Sequence, residues 1–158
     1  MQFKECYQNP FIEERADPYI TLGPDGFYYF TASYPMKSAD DKDGYDRVIL
    51  RRAKDISELA SAEEITIWKV ADTTLTHRFI WAPELHYIAG RWYVFYAGSE
   101  DKENNWAFDC HVLVCDSDDP YTGTWSEKGK FQKREDDDFS FTGFSLDMTY
   151  FEDGERSY

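Results

Sequence analysis

Two aspartates and one tryptophan carry most of the chemistry this sequence offers. Asp17 stands in Arg15-Ala16-Asp17-Pro18-Tyr19, Asp147 lies between Leu146 and Met148, and Trp81 opens Trp81-Ala82-Pro83-Glu84. On spacing alone Asp17 reads first as a turn aspartate ahead of a proline. Asp147 reads differently, because an aspartate inside an apolar stretch is costly unless it is paired or put to use. Two carboxylates at one pocket could hydrolyse a glycosidic bond. One activates a water while the other protonates the leaving oxygen. Trp81 is a further candidate beside them. Glu84, just after Pro83, reads as a structural ion-pair partner.

What brings residues 130 positions apart together is an internal repeat. Asp25-Gly26, Ala89-Gly90 and Asp153-Gly154 are turn pairs that recur every 64 residues. Each is flanked by aromatic and β-branched runs, such as Phe27-Tyr28-Tyr29-Phe30 and Trp92-Tyr93-Val94-Phe95-Tyr96. Glycine accepts the positive φ of a tight turn, so each repeat is predicted to open with a hairpin. Val48-Ile49-Leu50-Arg51-Arg52 and Val112-Leu113-Val114-Cys115 supply a third strand at matching offsets. Trp68 and Trp125 mark a fourth. Ser57 to Glu64 could form one helical turn. Four antiparallel strands per repeat form the blade of an all-β propeller. The blades are expected at about 10–75 and 76–135, with a third beginning at about 140–158. Asp17, Trp81 to Glu84 and Asp147 then fall on the first strand of successive blades, which lines the central channel. Polar loops, 37–46 and 99–105, connect the second and third strands and read as solvated surface. At this period the sequence stops inside a repeat, so the chain reads as a fragment or as one part of an assembly. Self-association could cover the open blade edges.

Composition narrows the partners. With 31 acidic against 17 basic residues the formal net charge is -14. Nucleic acid and anionic membranes would repel such a surface. Aromatic residues make up 18% of the chain, which suits strands and sugar-stacking surfaces. The three cysteines, Cys6, Cys110 and Cys115, are odd in number and lack CxxC spacing, arguing against a disulfide framework or zinc site. Met1 to Glu5 shows no basic start followed by an apolar stretch. A reduced, cytoplasmic protein is the expectation from these features.

The motifs together resemble a known family. Arg15 to Tyr19 followed by Asp25 to Tyr29 looks like the opening blade of glycoside hydrolase family 43. Ile80-Trp81-Ala82-Pro83-Glu84-Leu85 looks like its second-blade motif, and Phe144-Ser145-Leu146-Asp147-Met148 like its third. Gly44 to Arg52 resembles the arabinofuranosidase side of the family. The likeness covers essentially the whole chain, and its specificity lies in three motifs in order at these separations. It implies a five-bladed propeller that hydrolyses with inversion. Asp17 would be the general base, Asp147 would orient the general acid and raise its pKa, and Trp81 would wall the sugar pocket. The substrate would be an arabinose- or xylose-containing oligosaccharide, and the acid–base step needs no cofactor. The family's general acid is a glutamate in a later blade, beyond the end of this sequence. Glu152 and Glu155 sit at a hairpin turn and do not replace it. Inverting enzymes hold their carboxyl groups about 6.5–9.5 Å apart. The isolated chain is therefore expected to be inactive or nearly so. The rival reading is a non-catalytic module that binds sugar or a partner chain.

Other signals are weak. Asp41-Lys42-Asp43-Gly44 hints at a calcium loop, but its twelfth position is Arg52 where a glutamate is wanted. His77, His86 and His111 lack HExxH spacing and read as surface or strand residues. No metal site is expected, and there is no phosphate loop or nucleophile elbow.

Overall fold

The computed structural model describes residues 9–38, 40, 44–76, 78–101, 103–104, 106–141 and 143–158. Met1 to Glu5, Cys6, the Asp41 to Asp43 calcium-loop candidate and His77 lie outside the described residues.

Alternating aromatic and aliphatic residues form two four-stranded antiparallel sheets. The first runs in the order β1 (Ala16–Leu22), β2 (Tyr28–Ser33), β3 (Arg47–Ala53) and β4 (Ile65–Lys69). The second repeats it with β5 (Arg78–Ile88), β6 (Arg91–Ser99), β7 (Phe108–Cys115) and β8 (Trp125–Lys130). A 3-10 helix, Ile56–Ala60, follows β3, and a second, Val70–Asp72, follows β4. Asp55 caps the first by accepting from the Ser57 N–H at 2.8 Å. The turn glycines have positive φ, at 74° for Gly26, 83° for Gly90 and 62° for Gly154. The repeat read from the sequence is thus a repeat of backbone conformation.

Strand alternation gives each sheet two apolar faces. Tyr29, Val48, Leu50 and Trp68 of the first sheet meet Ile80, Leu85, Trp92, Val94, Tyr96 and Leu113 of the second in one buried cluster. Trp92 is completely buried, and its indole N–H donates to the Asp118 carbonyl at 2.9 Å. Burial of such a side chain contributes about 2–3 kcal/mol. At the rim, Arg52 donates to both oxygens of Asp119, at 2.9 and 3.0 Å. The opposite face of the first sheet holds Phe30, Ala32, Ile49 and Leu59, covered in part by Phe11 and Ile12.

Strand β5 begins at Arg78 and carries Trp81 to Glu84, the stretch expected on a first strand. Pro83 looks like a breaker because it has no N–H to give, but the β5–β6 register jumps between Trp81 and Glu84. A bulge tolerates a residue that cannot join the ladder. In the third repeat the first strand expected to carry Asp147 is absent. Only β9 (Glu152–Asp153) and β10 (Arg156–Ser157) pair, extended by mutual Phe151–Tyr158 backbone bonds of 2.9 and 3.1 Å. Residues 146–150 join no paired strand among the described residues. Asp147 is therefore exposed rather than held within an apolar strand.

The polar loops are also less solvated than their composition suggests. Asp46 pairs with Arg47 at 2.6 Å, and Glu100 accepts from Lys130 at 2.8 Å.

Candidate active site

Antiparallel order puts the start of β1, the end of β2, the first half of β5 and the start of β7 at one end of the sheets. The turn glycines lie at the other. Asp17, Trp81 and the approach to Asp147 all belong to the first of these ends.

Asp17 is fixed by its backbone and by one hydrogen bond. Its φ is 50°, and the β1–β2 register shifts between Ala16 and Tyr19. Left-handed backbone is unfavourable for L-residues, though aspartate tolerates it better than most. Ala82 and Asp147 share the conformation, at φ 44° and 55°. The three positions are spaced 65 residues apart, so the strain belongs to the repeat. It re-aims the chain near the start of β1 and within β5. The Ser33 hydroxyl donates to Asp17 Oδ2 at 2.8 Å, and the Ala82 N–H donates to Ser33 Oγ at 2.7 Å. The Asp17 carboxylate is thereby tied to the second sheet.

The segment leading into Asp17 is clamped from outside. Arg15 pairs with Glu64, which also accepts from Arg51 Nε at 3.0 Å. Burial would raise the Glu64 carboxyl, but the two guanidiniums hold it below its ordinary value. Arg15 and Arg47 lie over the Tyr34 ring, at 4.4 and 4.5 Å from its centroid.

Trp81 forms the aromatic wall. It stacks on Phe108 with centroids 4.1 Å apart, and Tyr45, Phe79 and Trp106 surround it at 5.6 to 6.2 Å. Trp106 is 67% exposed. The wall continues to Phe144, which meets Phe108 edge-on at 5.6 Å, and the Ser145 N–H donates to the Phe108 carbonyl at 3.1 Å. This carries the chain to Asp147. Asp147 stands close enough to Cys110 for its charge to add to the burial that pushes that thiol up to about 11. Ser33, Phe108 and Trp106 were not singled out in the sequence. Ser33 ends an aromatic run and Trp106 lies in a polar loop, so neither carries a local signal.

Glu84 meets a histidine, and the contact is an ion pair only when that ring is protonated. Its carboxylate lies 2.9 Å from His86 Nε2, and the Tyr19 hydroxyl lies 3.4 Å from His86 Nδ1. Burial lowers the His86 pKa, and Glu84 only partly opposes it. His86 and His111 are both buried strand residues. Among the described residues, no three His, Cys, Asp or Glu side chains gather as a metal site. Glu152 lies beside the third turn, hydrogen-bonded to the Tyr150 hydroxyl at 2.5 Å.

Repeated four-stranded antiparallel sheets define an all-β protein, and this one carries an exposed carboxylate and a cluster of aromatic rings at one end. The family model for glycosyl hydrolases family 43 matches residues 7–158, and the chain belongs to that family. It is 41% identical over 145 residues to an extracellular exo-α-(1→5)-L-arabinofuranosidase of Streptomyces avermitilis, covering 92% of this chain and 27% of that protein. A protein of the same name from Streptomyces chartreusis is also 41% identical, with 40% of its length covered. Among solved structures, an α-L-arabinofuranosidase from Lactobacillus brevis superposes with a TM-score of 0.78 at 36% identity, over 96% of this chain and 45% of that one. The chain thus spans less than half the length of these relatives.

The two Streptomyces relatives are extracellular by name, which overturns the expectation of a cytoplasmic protein. The cysteines misled for a physical reason. Cys110 and Cys115 are buried free thiols whose pKa values burial raises. Such thiols are inert and report no redox compartment.

Proposed function

We propose that this chain forms the front part of a glycosidase that releases terminal α-L-arabinofuranose from arabinose-containing oligosaccharides, working outside the cell. The observation that carries the reading is Asp17. Its carboxylate is exposed at the channel end of β1, and one oxygen is taken by Ser33. Arabinofuranosidases 41% identical to this chain support the choice of sugar over xylose.

Asp17 acts as general base and removes a proton from the attacking water, which adds to the anomeric carbon as the glycosidic bond breaks. Trp81 lines the sugar site. Asp147 orients a general acid supplied from outside these 158 residues and disfavours its ionisation through like charge. Each four-stranded sheet is one blade, and five such blades close the propeller. Attack opposite the leaving group inverts the anomeric centre.

The test is hydrolysis of an aryl α-L-arabinofuranoside by the intact enzyme and its Asp17→Asn variant. The expected result is a fall in kcat of about 10³-fold in the variant, with little change in KM. Proton NMR of the first-formed sugar reads the stereochemistry. Undiminished hydrolysis by the variant rules Asp17 out as the base, and faster cleavage of the matching xyloside reassigns the sugar.

A further inference from the structure

Ser33 is fully buried at the end of β2, between the two sheets. A serine hydroxyl has one proton and two lone pairs. Because Ser33 Oγ accepts from the Ala82 N–H, its own proton is left for Asp17 Oδ2. The direction of this relay is set by chemistry, since a backbone N–H can only donate. Both ends are anchored on left-handed backbone, Asp17 in β1 and Ala82 in β5.

The second sheet shows that the hydroxyl is not part of the repeat's construction. Ser33 is registered opposite Ala16, while the equivalent partner of Trp81 is Ala97. The second repeat therefore makes the same bulge and the same left-handed residue with no hydroxyl behind it.

We propose that Ser33 is a positioning residue for the hydrolytic reaction, holding Asp17 by Oδ2 against the second sheet so that Oδ1 is the oxygen presented to the attacking water. This rests on the reading of Asp17 as general base. Ser33 touches neither sugar nor water and acts through Asp17 alone.

The test measures kcat and KM from acid to alkaline pH on an aryl α-L-arabinofuranoside, using the intact enzyme and its Ser33→Ala, Ser33→Thr and Asp17→Asn variants. Ser33→Ala is expected to lower kcat about 10–100-fold, because a slightly misplaced base is a poor one. KM should stay within about twofold, since binding groups are untouched. Ser33→Thr keeps the hydroxyl and should recover most of the rate. If Ser33→Ala does not fold, Ser33→Cys keeps the volume with a weaker donor, and a loss of kcat at unchanged KM is expected. Wild-type kcat in Ser33→Ala or Ser33→Cys overturns the proposal. So does an equal loss in the alanine and threonine variants, which is a packing effect. Should Asp17→Asn abolish turnover while Ser33→Ala does not alter it, only the role of Ser33 fails. Full activity in Asp17→Asn removes the base assignment and this proposal with it.

Discussion

In the first sheet, the strand end beside the candidate site reads Ala16-Asp17 with Ser33 opposite; in the second it reads Trp81-Ala82 with Ala97 opposite. The backbone is the same in both, with a bulge and a left-handed residue in each. Only the side chains differ. One sheet offers a hydrogen-bonded carboxylate, and the other an indole packed on Phe108. A duplicated scaffold can present different chemistry in this way, because the same backbone in each sheet carries different side chains at its strand end.

The sharpest way to break this comparison is Trp81→Ala. The indole touches four other rings, so truncation should cost about 3 kcal/mol of stability. Denaturant unfolding would show it as a lower midpoint with unchanged slope. A loss below about 0.5 kcal/mol would mean that Trp81 is a free wall and not part of the core.

Acid should separate the sheets next. The second holds His86 and His111, both buried with pKa values lowered by burial, and the first holds no histidine. Glu84 and Tyr19 face His86, while Glu100, Asp109 and Lys130 act on His111. A histidine whose folded pKa lies below its unfolded value binds fewer protons when folded. Stability is then full above the ordinary value of 6.5 and falls as pH drops below it. Glu64 clamps the first sheet with a lowered pKa, so its contribution is lost only as pH falls below its ordinary 4.5. Between these limits, hydrogen exchange should quicken in β6 and β7 before β2 and β3. Equal protection of both sheets at about pH 5 would show that the histidines do not set the acid response.

The smallest effect is expected at Trp106, which is largely exposed. Trp106→Ala should change stability by less than about 0.5 kcal/mol. It should still raise KM if the ring extends the Trp81 wall toward the sugar, since stacking on an exposed aromatic is worth about 1 kcal/mol. A stability loss as large as that of Trp81→Ala would place Trp106 in the packing instead.

Much of this molecule is written locally. The turn glycines, the aromatic runs and the 64-residue period follow from short-range rules, because a tight turn needs positive φ and a strand face needs apolar residues at every second position. Those rules set the two four-stranded sheets and put Asp17, Ala82 and Asp147 in corresponding places, with Trp81 one residue ahead of Ala82. The bulge at Pro83 was not legible, since a bulge depends on the strand opposite and not on the residue itself. Burial of His86 and His111 was equally out of reach, because it comes from the rings stacked against them. The relay from Ala82 through Ser33 to Asp17 joins residues 49 and 16 positions apart. The sequence by itself determined the repeat and the residue types at its strand ends. Only the tertiary structure decided which donor meets which acceptor, because a hydrogen bond requires two groups within about 3 Å in a fixed direction, and that follows from how two sheets pack.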